Sequence, residues 1–198
     1  MDKKIGFIGL GTMGAPIATR LLNCGFSLIL YDIDIRKLEI FSKSSNCEIA
    51  LSPKDVGKSA QRVITILPNS DIVSEVLFGD NGLIHSLSDG SVVIEMSTGS
   101  VPAFIKQAEK LAEKKLQMVD LPVGRSPAEA LTGQLIAMAG IDKDHAGAVV
   151  DIAEAIAEET IYTGKLGDGL RLKLVNNYMA MIGHVLAAEV LALALKVG

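Results

Sequence analysis

Three glycines near the amino terminus have a spacing that would let backbone amides approach an anion. Gly9, Gly11 and Gly14 form the pattern G-x-G-x-x-G directly after an apolar run that predicts a strand. In such a loop the first glycine permits a tight turn, the second opens the backbone to a pyrophosphate, and the third lets a helix pack on the strand. The helix N-terminus adds partial positive charge. The pattern predicts a dinucleotide site, and a glycine turn without a ligand is the alternative.

A carboxylate at the end of the second predicted strand indicates which dinucleotide this site would take. The run "LILYD" ends at Asp32, and a carboxylate there accepts hydrogen bonds from ribose hydroxyls but repels a 2′-phosphate. Arg36 could pair with that phosphate, but it follows the strand end by a turn. We therefore expect NAD(H) as the cofactor, with NADP less favoured.

A lysine and two asparagines share one face of the last predicted helix. Lys173, Asn176 and Asn177 are spaced i, i+3 and i+4. Buried polar groups cost free energy unless they meet partners, so these residues in an apolar helix are candidates for a site. A solvated lysine near the helix start is the alternative. His184 lies on a nearby face, and we expect it to be a core histidine with a satisfied hydrogen bond.

The loop "DLPVGRSP" (120–127) places one guanidinium, that of Arg125, between Gly124 and Ser126. It follows a predicted strand, so it should lie at the carboxyl edge of the sheet, where open α/β folds bind ligands. A guanidinium forms charge-assisted hydrogen bonds with anions. Arg125 is therefore a candidate anion-binding residue, and a solvated arginine is the alternative.

The elements that must position these residues alternate between strand and helix. Near-continuous apolar strands in this arrangement predict an α/β fold, a Rossmann-type, doubly wound, mostly parallel sheet with helices on both faces. The predicted strands are 4–10, 26–32, 47–50, 62–67, 91–97, 116–121, 134–140 and 160–164. The predicted helices include 12–24, 34–43, 102–115 and 142–158. We expect 1–164 to be one NAD-binding domain.

Residues 165–198 predict one long helix, over 167–197, that is apolar on nearly every face in its second half. A helix of this kind must be buried on every face, and one sheet domain cannot surround it. We expect a second subunit or a further domain to cover it, and we interpret 165–198 as the inter-domain helix that begins a truncated all-α domain. A membrane span is the alternative, but His184 and Glu189 lie within the apolar run.

The composition argues against several classes of partner. The 198 residues are 49% hydrophobic and 21% charged, which favours a packed core over disorder. The net charge of −4 comes without a basic block, so nucleic acid is not an expected partner. Cys24 and Cys47 lack metal-ligand spacing and predict free thiols, and no metal site is expected. The amino terminus lacks a signal-peptide pattern, and we expect a cytoplasmic protein.

Five segments, in this order, resemble the β-hydroxyacid dehydrogenases, the group that contains 3-hydroxyisobutyrate and 6-phosphogluconate dehydrogenases. The segments are "FIGLGTMGAPIA", "LPN" (67–69), "MST" (96–98), "DLPVGRS" and "GDGLRLKLVNN". The resemblance implies an NAD-dependent oxidoreductase in which Lys173 is the catalytic acid/base, assisted by Asn177. The cofactor contacts that it implies are Gly9, Leu10, Gly11, Thr12, Met13, Gly14, Asp32, Leu67, Pro68, Asn69 and Thr98.

The loop around Arg125 departs from the family's usual D-x-P-V-S-G-G, in which serine and glycine amides hold a carboxylate. The variation looks most like the branch that reduces 3-sulfolactaldehyde to 2,3-dihydroxypropane-1-sulfonate. The implied ligand is a small anionic aldehyde or hydroxyacid, and its expected contacts are Gly124, Arg125, Ser126, Asn176, Asn177 and Tyr178.

Two alternatives to this function remain open. Carboxylate aldehydes, such as the semialdehydes of 3-hydroxyisobutyrate and tartronate metabolism, would also suit an arginine. A non-catalytic NAD-binding module is the alternative of another class. In the family a further helical domain follows the long helix, and this chain is expected to be truncated before that domain. That helix is also the expected contact of a homo-oligomer.

Overall fold

The computed structural model describes residues 3–198 and contains a six-stranded sheet in which every pairing is parallel. Its strands are β1 (Lys4–Ile8), β2 (Ser27–Tyr31), β3 (Cys47–Ile49), β4 (Arg62–Thr65), β5 (Val92–Glu95) and β6 (Gln117–Asp120). Their order, β3-β2-β1-β4-β5-β6, reverses direction between β1 and β4. This is the doubly wound arrangement, so the predicted fold class is confirmed.

Three further strands form a separate small sheet rather than extending the first. They are β7 (Val123–Gly124), β8 (Leu135–Ala139) and β9 (Ala157–Tyr162), with β7 antiparallel and β9 parallel to β8. Pro122 follows β6 and has no N–H to donate to a ladder, so the main sheet cannot continue there. Its carbonyl instead accepts the N–H of Met138, which joins the two sheets.

Within residues 3–198, six α-helices connect the strands and a seventh follows the last strand, and four of the seven begin after a residue whose side chain caps the first turn. The helices are α1 (Gly14–Asn23), α2 (Pro53–Ser59), α3 (Ser70–Phe78), α4 (Val101–Ala112), α5 (Pro127–Thr132), α6 (Val150–Ile156) and α7 (Asp168–Val197). The caps are Ser52, Asn69, Ser100 and Ser126, which precede α2, α3, α4 and α5. Such oxygens satisfy N–H groups that have no partner within the helix.

Two predicted helices are wrong in extent. The predicted helix at 34–43 is two short 3₁₀ turns, Ile35–Lys37 and Glu39–Phe41, because the Asp34 side chain accepts the N–H of Arg36 and favours a local turn. The predicted helix at 142–158 begins only at Val150, after a 3₁₀ segment that contains Gly147.

The core lies on both faces of the main sheet, which explains why its strands are apolar at successive positions. On β1, Phe7 packs into one cluster with α1 and α6, while Ile8 packs into the other with α2, α3 and α4. Both side chains are almost completely buried. Because neighbouring side chains on a strand point to opposite faces, two helical layers require this composition.

The long helix α7 contacts the domain only at its beginning. Gly169 and Leu170 are its buried residues, while apolar residues further along, such as Leu195, are exposed. By length and composition alone the helix could cross a membrane, a property that it shares with helices buried inside proteins. His184, expected as a core histidine with a satisfied hydrogen bond, is exposed in this chain, and its Nδ1 lies 2.7 Å from the carbonyl oxygen of Ala180 in the same helix.

Candidate active site

A cavity of about 1030 Å³ lies at the carboxyl ends of the parallel strands. It collects loops that follow β1, β2, β4 and β5, and it also reaches β7 and α7. The predicted site residues that line it are Gly9, Gly11, Thr12, Met13, Gly14, Asp32, Leu67, Pro68, Thr98, Arg125, Lys173 and Asn177. Residues that are far apart in the chain therefore meet in one space large enough for a small-molecule ligand.

The three glycines of the first loop are required for different reasons. Gly9 has a φ of +101°, and a Cβ there would lie 2.2 Å from the carbonyl oxygen of Ile66. A Cβ on Gly14 would lie 1.9 Å from the carbonyl oxygen of Gly9. A Cβ on Gly11 would meet no protein atom within 4 Å, although this residue lines the cavity. The missing side chain at Gly11 therefore leaves room for a ligand, as a bound pyrophosphate requires.

Asp32 is buried at the end of β2 and is held by backbone amides. Its Oδ2 accepts the N–H of Leu10 at 2.7 Å, and its Oδ1 accepts the N–H of Asp34 at 2.8 Å. The ammonium of Lys37 lies 3.3 Å from Oδ1 and also lines the cavity. Leu10 thus supports Asp32 without lining the cavity itself, whereas Lys37 is a residue that the sequence interpretation missed.

Arg36, considered above as a partner for a 2′-phosphate, is engaged elsewhere. Its Nε and Nη2 each lie 2.8 Å from an oxygen of Asp34. The guanidinium holds the pKa of that carboxyl at about 2. Arg36 does not line the cavity, so Lys37 is the cation of this turn that faces the site.

A buried carboxyl group connects the loops after β4 and β5. Glu95 Oε1 accepts the N–H of Ser97 at 2.7 Å, and the Thr65 hydroxyl bonds to Oε2. Ser97 Oγ in turn accepts the N–H of Leu67 at 2.7 Å. Burial raises the pKa of Glu95 to about 7. Asn69, expected at the cofactor, lies outside the cavity lining and caps α3 instead.

A second buried carboxyl group fixes the start of α7. Asp120 Oδ1 accepts the N–H of Gly167, and Oδ2 accepts that of Leu170, each at 2.8 Å. A Cβ on Gly169 would lie 2.3 Å from the carbonyl oxygen of Met138, so α7 packs against β8 at backbone contact. Burial raises the pKa of Asp120. These contacts fix the helix turn that precedes Lys173.

Lys173 and Asn177, one helical turn apart, both line the cavity. Lys173 is partly buried, and the loss of water around its ammonium group lowers its pKa. Burial is the cause that accounts for this lowering of the pKa. A lysine with a lowered pKa exchanges a proton more readily near neutral pH.

Arg125 reaches the cavity from the turn after β7, with a φ of +80° that side-chain-bearing residues rarely adopt. Its Nη1 donates to the carbonyl oxygen of Gln134 at 2.6 Å and to Glu158 Oε2 at 2.7 Å. The guanidinium is therefore paired at the cavity edge in this structure, and an anion that bound there would compete with Glu158.

The other residues expected at the substrate lie outside the cavity lining. Gly124 is buried in β7, and the hydroxyl of Ser126 caps α5 and bonds to Glu129. Asn176 and Tyr178 are exposed on α7. Of the predicted substrate contacts, the cavity thus brings Arg125 and Asn177 together.

Comparisons with known proteins identify an NAD-binding domain in most of the chain. Residues 4–164 match the family model for the NAD binding domain of 6-phosphogluconate dehydrogenase. The 3-sulfolactaldehyde reductase of Escherichia coli (strain K12) is 39% identical over 186 residues, which cover 93% of this chain and 62% of the reductase. The mitochondrial 3-hydroxyisobutyrate dehydrogenase of Mus musculus is 34% identical over 195 residues, which cover 98% of this chain and 58% of that enzyme.

A solved structure, Psf3 in complex with NADP⁺ and 2-OPP, superposes with a TM-score of 0.90 at 25% identity, over 98% of this chain and 68% of that one. The chain spans less than two thirds of the length of the two curated relatives. The match to the family model nevertheless covers most of the chain, including the glycine loop and Asp32. The chain therefore belongs to the β-hydroxyacid dehydrogenase family and contains that family's NAD(P)-binding domain.

Proposed function

We propose that this protein is an NAD-dependent oxidoreductase that reduces a small acidic aldehyde, with 3-sulfolactaldehyde as the favoured substrate and 2,3-dihydroxypropane-1-sulfonate as its product. The observation that carries the proposal is one cavity that joins the glycine loop and Asp32 with Lys173, Asn177 and Arg125. NADH, when bound, would supply the hydride. The 39% identity to the sulfolactaldehyde reductase supports the choice of substrate.

Each residue of the cavity has a proposed role that follows from its position. The backbone around Gly11 would hold the pyrophosphate, and Asp32 would accept hydrogen bonds from the adenosine ribose. Lys173 would hold and release a proton at the substrate's carbonyl oxygen, with Asn177 orienting that oxygen. Arg125 would bind the acidic head group by charge-assisted hydrogen bonds, exchanging Glu158 for the ligand.

The choice of NAD over NADP rests on Asp32, which is buried and would repel a 2′-phosphate. Lys37 beside it works in the opposite direction, because its ammonium would attract that phosphate. Titration of the wild type with NADH and with NADPH gives the dissociation constant of each, and we expect NADH to bind more tightly. Asp32→Ala should narrow the difference, and an unchanged ratio of the two dissociation constants would remove Asp32 from cofactor selection.

The same chemistry on a carboxylate aldehyde is the closest alternative, because arginine binds carboxylates as well as sulfonates. The 34% identity to a 3-hydroxyisobutyrate dehydrogenase favours it. Steady-state kinetics with matched sulfonate and carboxylate aldehydes separate the two, and we expect the higher kcat/KM for the sulfonate. A carboxylate preference would contradict the sulfonate assignment. Arg125→Met should raise KM for either anion, while Ser42→Ala, a substitution on an exposed turn, is the control.

A nucleotide-binding module without turnover is a second candidate, favoured by the exposed apolar length of α7. The family's helical domain would supply the rest of the active site. If the chain binds NADH but reduces none of the aldehydes, this candidate describes it. We further propose that residues 1–164 and 165–198 are separate units, that α7 is the contact of a homo-oligomer, and that the protein is cytoplasmic.

A further inference from the structure

Glu95 lies between two other buried polar residues in one row across the main sheet. Its Cα is paired with that of Thr65 on β4 and with that of Asp120 on β6. All three residues are almost completely buried. Burying a carboxyl group costs free energy unless it is bonded, and the proposed reduction uses neither Glu95 nor Asp120.

Glu95 holds two loops that line the cavity. Its Oε1 is bonded to the backbone of Ser97, and Ser97 Oγ is bonded to the backbone of Leu67. Ser97 follows β5, Leu67 follows β4, and both line the cavity. One buried side chain therefore sets the separation of two loops that the nucleotide would contact.

The bonding partners of the two carboxyl groups differ in whether they can accept a hydrogen bond. Asp120 receives N–H groups of Gly167 and Leu170, which can only donate and so favour its ionised form. The Thr65 hydroxyl beside Glu95 can donate or accept. Glu95 can therefore stay bonded as a carboxylate or as a neutral acid that donates to Thr65.

The surroundings place the ionisation of Glu95 in the physiological range. Burial is the largest cause that raises its pKa to about 7, against the lowering effect of its bonds to Ser97 and Thr65. The charge of Asp120, which faces Glu95 from β6, raises this pKa further. Asp168 at the start of α7 acts similarly on Asp120, and β4 presents the neutral Thr65.

We propose that Glu95 is a positioning residue for the nucleotide and that its ionisation, by strengthening its hydrogen bond to Ser97, tightens nucleotide binding as the pH rises through neutrality. A charge-assisted hydrogen bond is shorter and stronger than a neutral one, so the ionised group orders the two loops more firmly. This inference rests on the proposed nucleotide site.

The first test compares the NADH dissociation constants of the wild type and of Glu95→Gln, measured by fluorescence titration from about pH 5.5 to about pH 8.5. The amide of glutamine can accept from Ser97 and donate to Thr65, so it reproduces the neutral acid. We expect binding to the wild type to tighten about fivefold over this range and binding to Glu95→Gln to stay near the weaker, acidic value of the wild type.

The comparison isolates Glu95, because the other ionisable groups that line the cavity, such as Asp32, Lys37 and Lys173, are present in both proteins. Equal pH slopes in the two proteins would overturn the role of Glu95. Wild-type protein that binds no NADH at any pH would overturn the nucleotide site itself, and with it this role.

A second measurement needs no substitution, so it remains decisive if Glu95→Gln does not fold. Carboxyl carbon NMR follows the titration of Glu95 in the wild type, without nucleotide and with saturating NADH. Linkage requires that tighter binding to the ionised form lower the pKa of Glu95 when NADH is bound. A fivefold change in affinity corresponds to a fall of about 0.7 in this pKa. An unchanged pKa would overturn the proposal.

Discussion

At the scale of single residues, the glycine loop separates the needs of the fold from the needs of a ligand. Gly9 and Gly14 are confined by backbone carbonyl oxygens, whereas Gly11 faces open space in the cavity. A motif that is read as one unit in the sequence therefore contains residues with different physical roles. Substitutions at two of its positions should consequently have different effects.

Gly14→Ala should destabilise the protein, while Gly11→Ala should not. The new Cβ at position 14 meets the carbonyl oxygen of Gly9, and overpacking of this kind costs about 1–3 kcal/mol. The free energy of unfolding by urea measures both effects, with the Gly11 variant expected within about 0.5 kcal/mol of the wild type. Equal destabilisation by both substitutions would contradict the different roles assigned to them.

Lys173 should be essential for turnover but not for nucleotide binding. Arginine keeps the positive charge but does not release a proton, so Lys173→Arg tests proton exchange rather than charge. We expect loss of aldehyde reduction in Lys173→Arg and Lys173→Ala, with the NADH dissociation constant within about threefold of the wild type. Retained turnover in either variant would remove Lys173 from the mechanism.

Glu95 should make the folded state less stable as the pH rises towards neutrality. The folded protein binds this proton more tightly than the unfolded chain, in which glutamate titrates near its ordinary 4.5. The stabilisation is therefore complete below about 4.5 and declines up to about 7. Thermal unfolding followed by circular dichroism should show a smaller decline of Tm over this interval in Glu95→Gln, and an equal decline would rule out this contribution.

The sequence predicted the residues that carry a local signature but not their supports. Gly9, Asp32 and Lys173 stand in recognisable patterns, and all line the cavity. Lys37 was missed because a helix was expected where the chain forms 3₁₀ turns. Glu95 was missed because its importance comes from bonds to Ser97 and Thr65 across neighbouring strands, which no spacing along the chain reveals.

At the scale of elements, the contact between the first turn of α7 and the end of β6 positions Lys173 near the sheet. Asp120 at the end of β6 bonds two N–H groups in the first turn of this helix. The sequence predicted β6, the helix and their meeting at one edge of the sheet, but not the hydrogen bonds of Asp120 that join them. The connection depends on a packed contact between Gly169 and β8, which becomes visible only in three dimensions.

Asp120→Ala should weaken the attachment of α7 to β6. Two buried N–H groups would lose their acceptor, and we expect a loss of about 1–3 kcal/mol in the free energy of unfolding. Asp120→Asn keeps one acceptor oxygen and should lose less. Urea unfolding measures the free energy of unfolding of each variant. An alanine variant as stable as the wild type would show that α7 is held by its backbone packing alone.

The separate small sheet was not predicted, because the sequence pattern does not show which strands pair with one another. The strands at 134–140 and 160–164 were recognised from their apolar content, and β8 and β9 lie close to these positions. Apolar content does not identify the sheet to which a strand belongs. Pro122 ends the ladder of the main sheet, but a proline after a strand also fits an ordinary turn.

At the scale of the whole molecule, α7 presents a large exposed apolar surface. Its side chains beyond the first turns are exposed on every face, including Leu186, Leu191 and Leu195. Burial of a single leucine contributes about 1.5–3 kcal/mol, so we expect a second subunit or a further domain to cover this surface. The sequence predicted the need for cover from the all-round apolar pattern, but not what supplies it.

We expect the chain to self-associate, as measured by sedimentation velocity over a range of protein concentrations. Leu186→Glu should weaken association, because it would bury a charge in the contact. Ala112→Glu at the exposed end of α4 adds the same charge outside the helix and is the matched control. A protein that stays monomeric at all concentrations, with α7 ordered, would contradict this expectation.

The central claim is that the cavity at the carboxyl edge of the sheet binds NADH through the glycine loop. Calorimetric titration of the wild type and of Gly11→Ala with NADH tests it most directly, because the substitution fills only space that a ligand would use. We expect saturable one-to-one binding to the wild type and about tenfold or weaker binding to a normally folded Gly11→Ala. No saturable binding to the wild type, or equal affinity in both proteins, would contradict the claim.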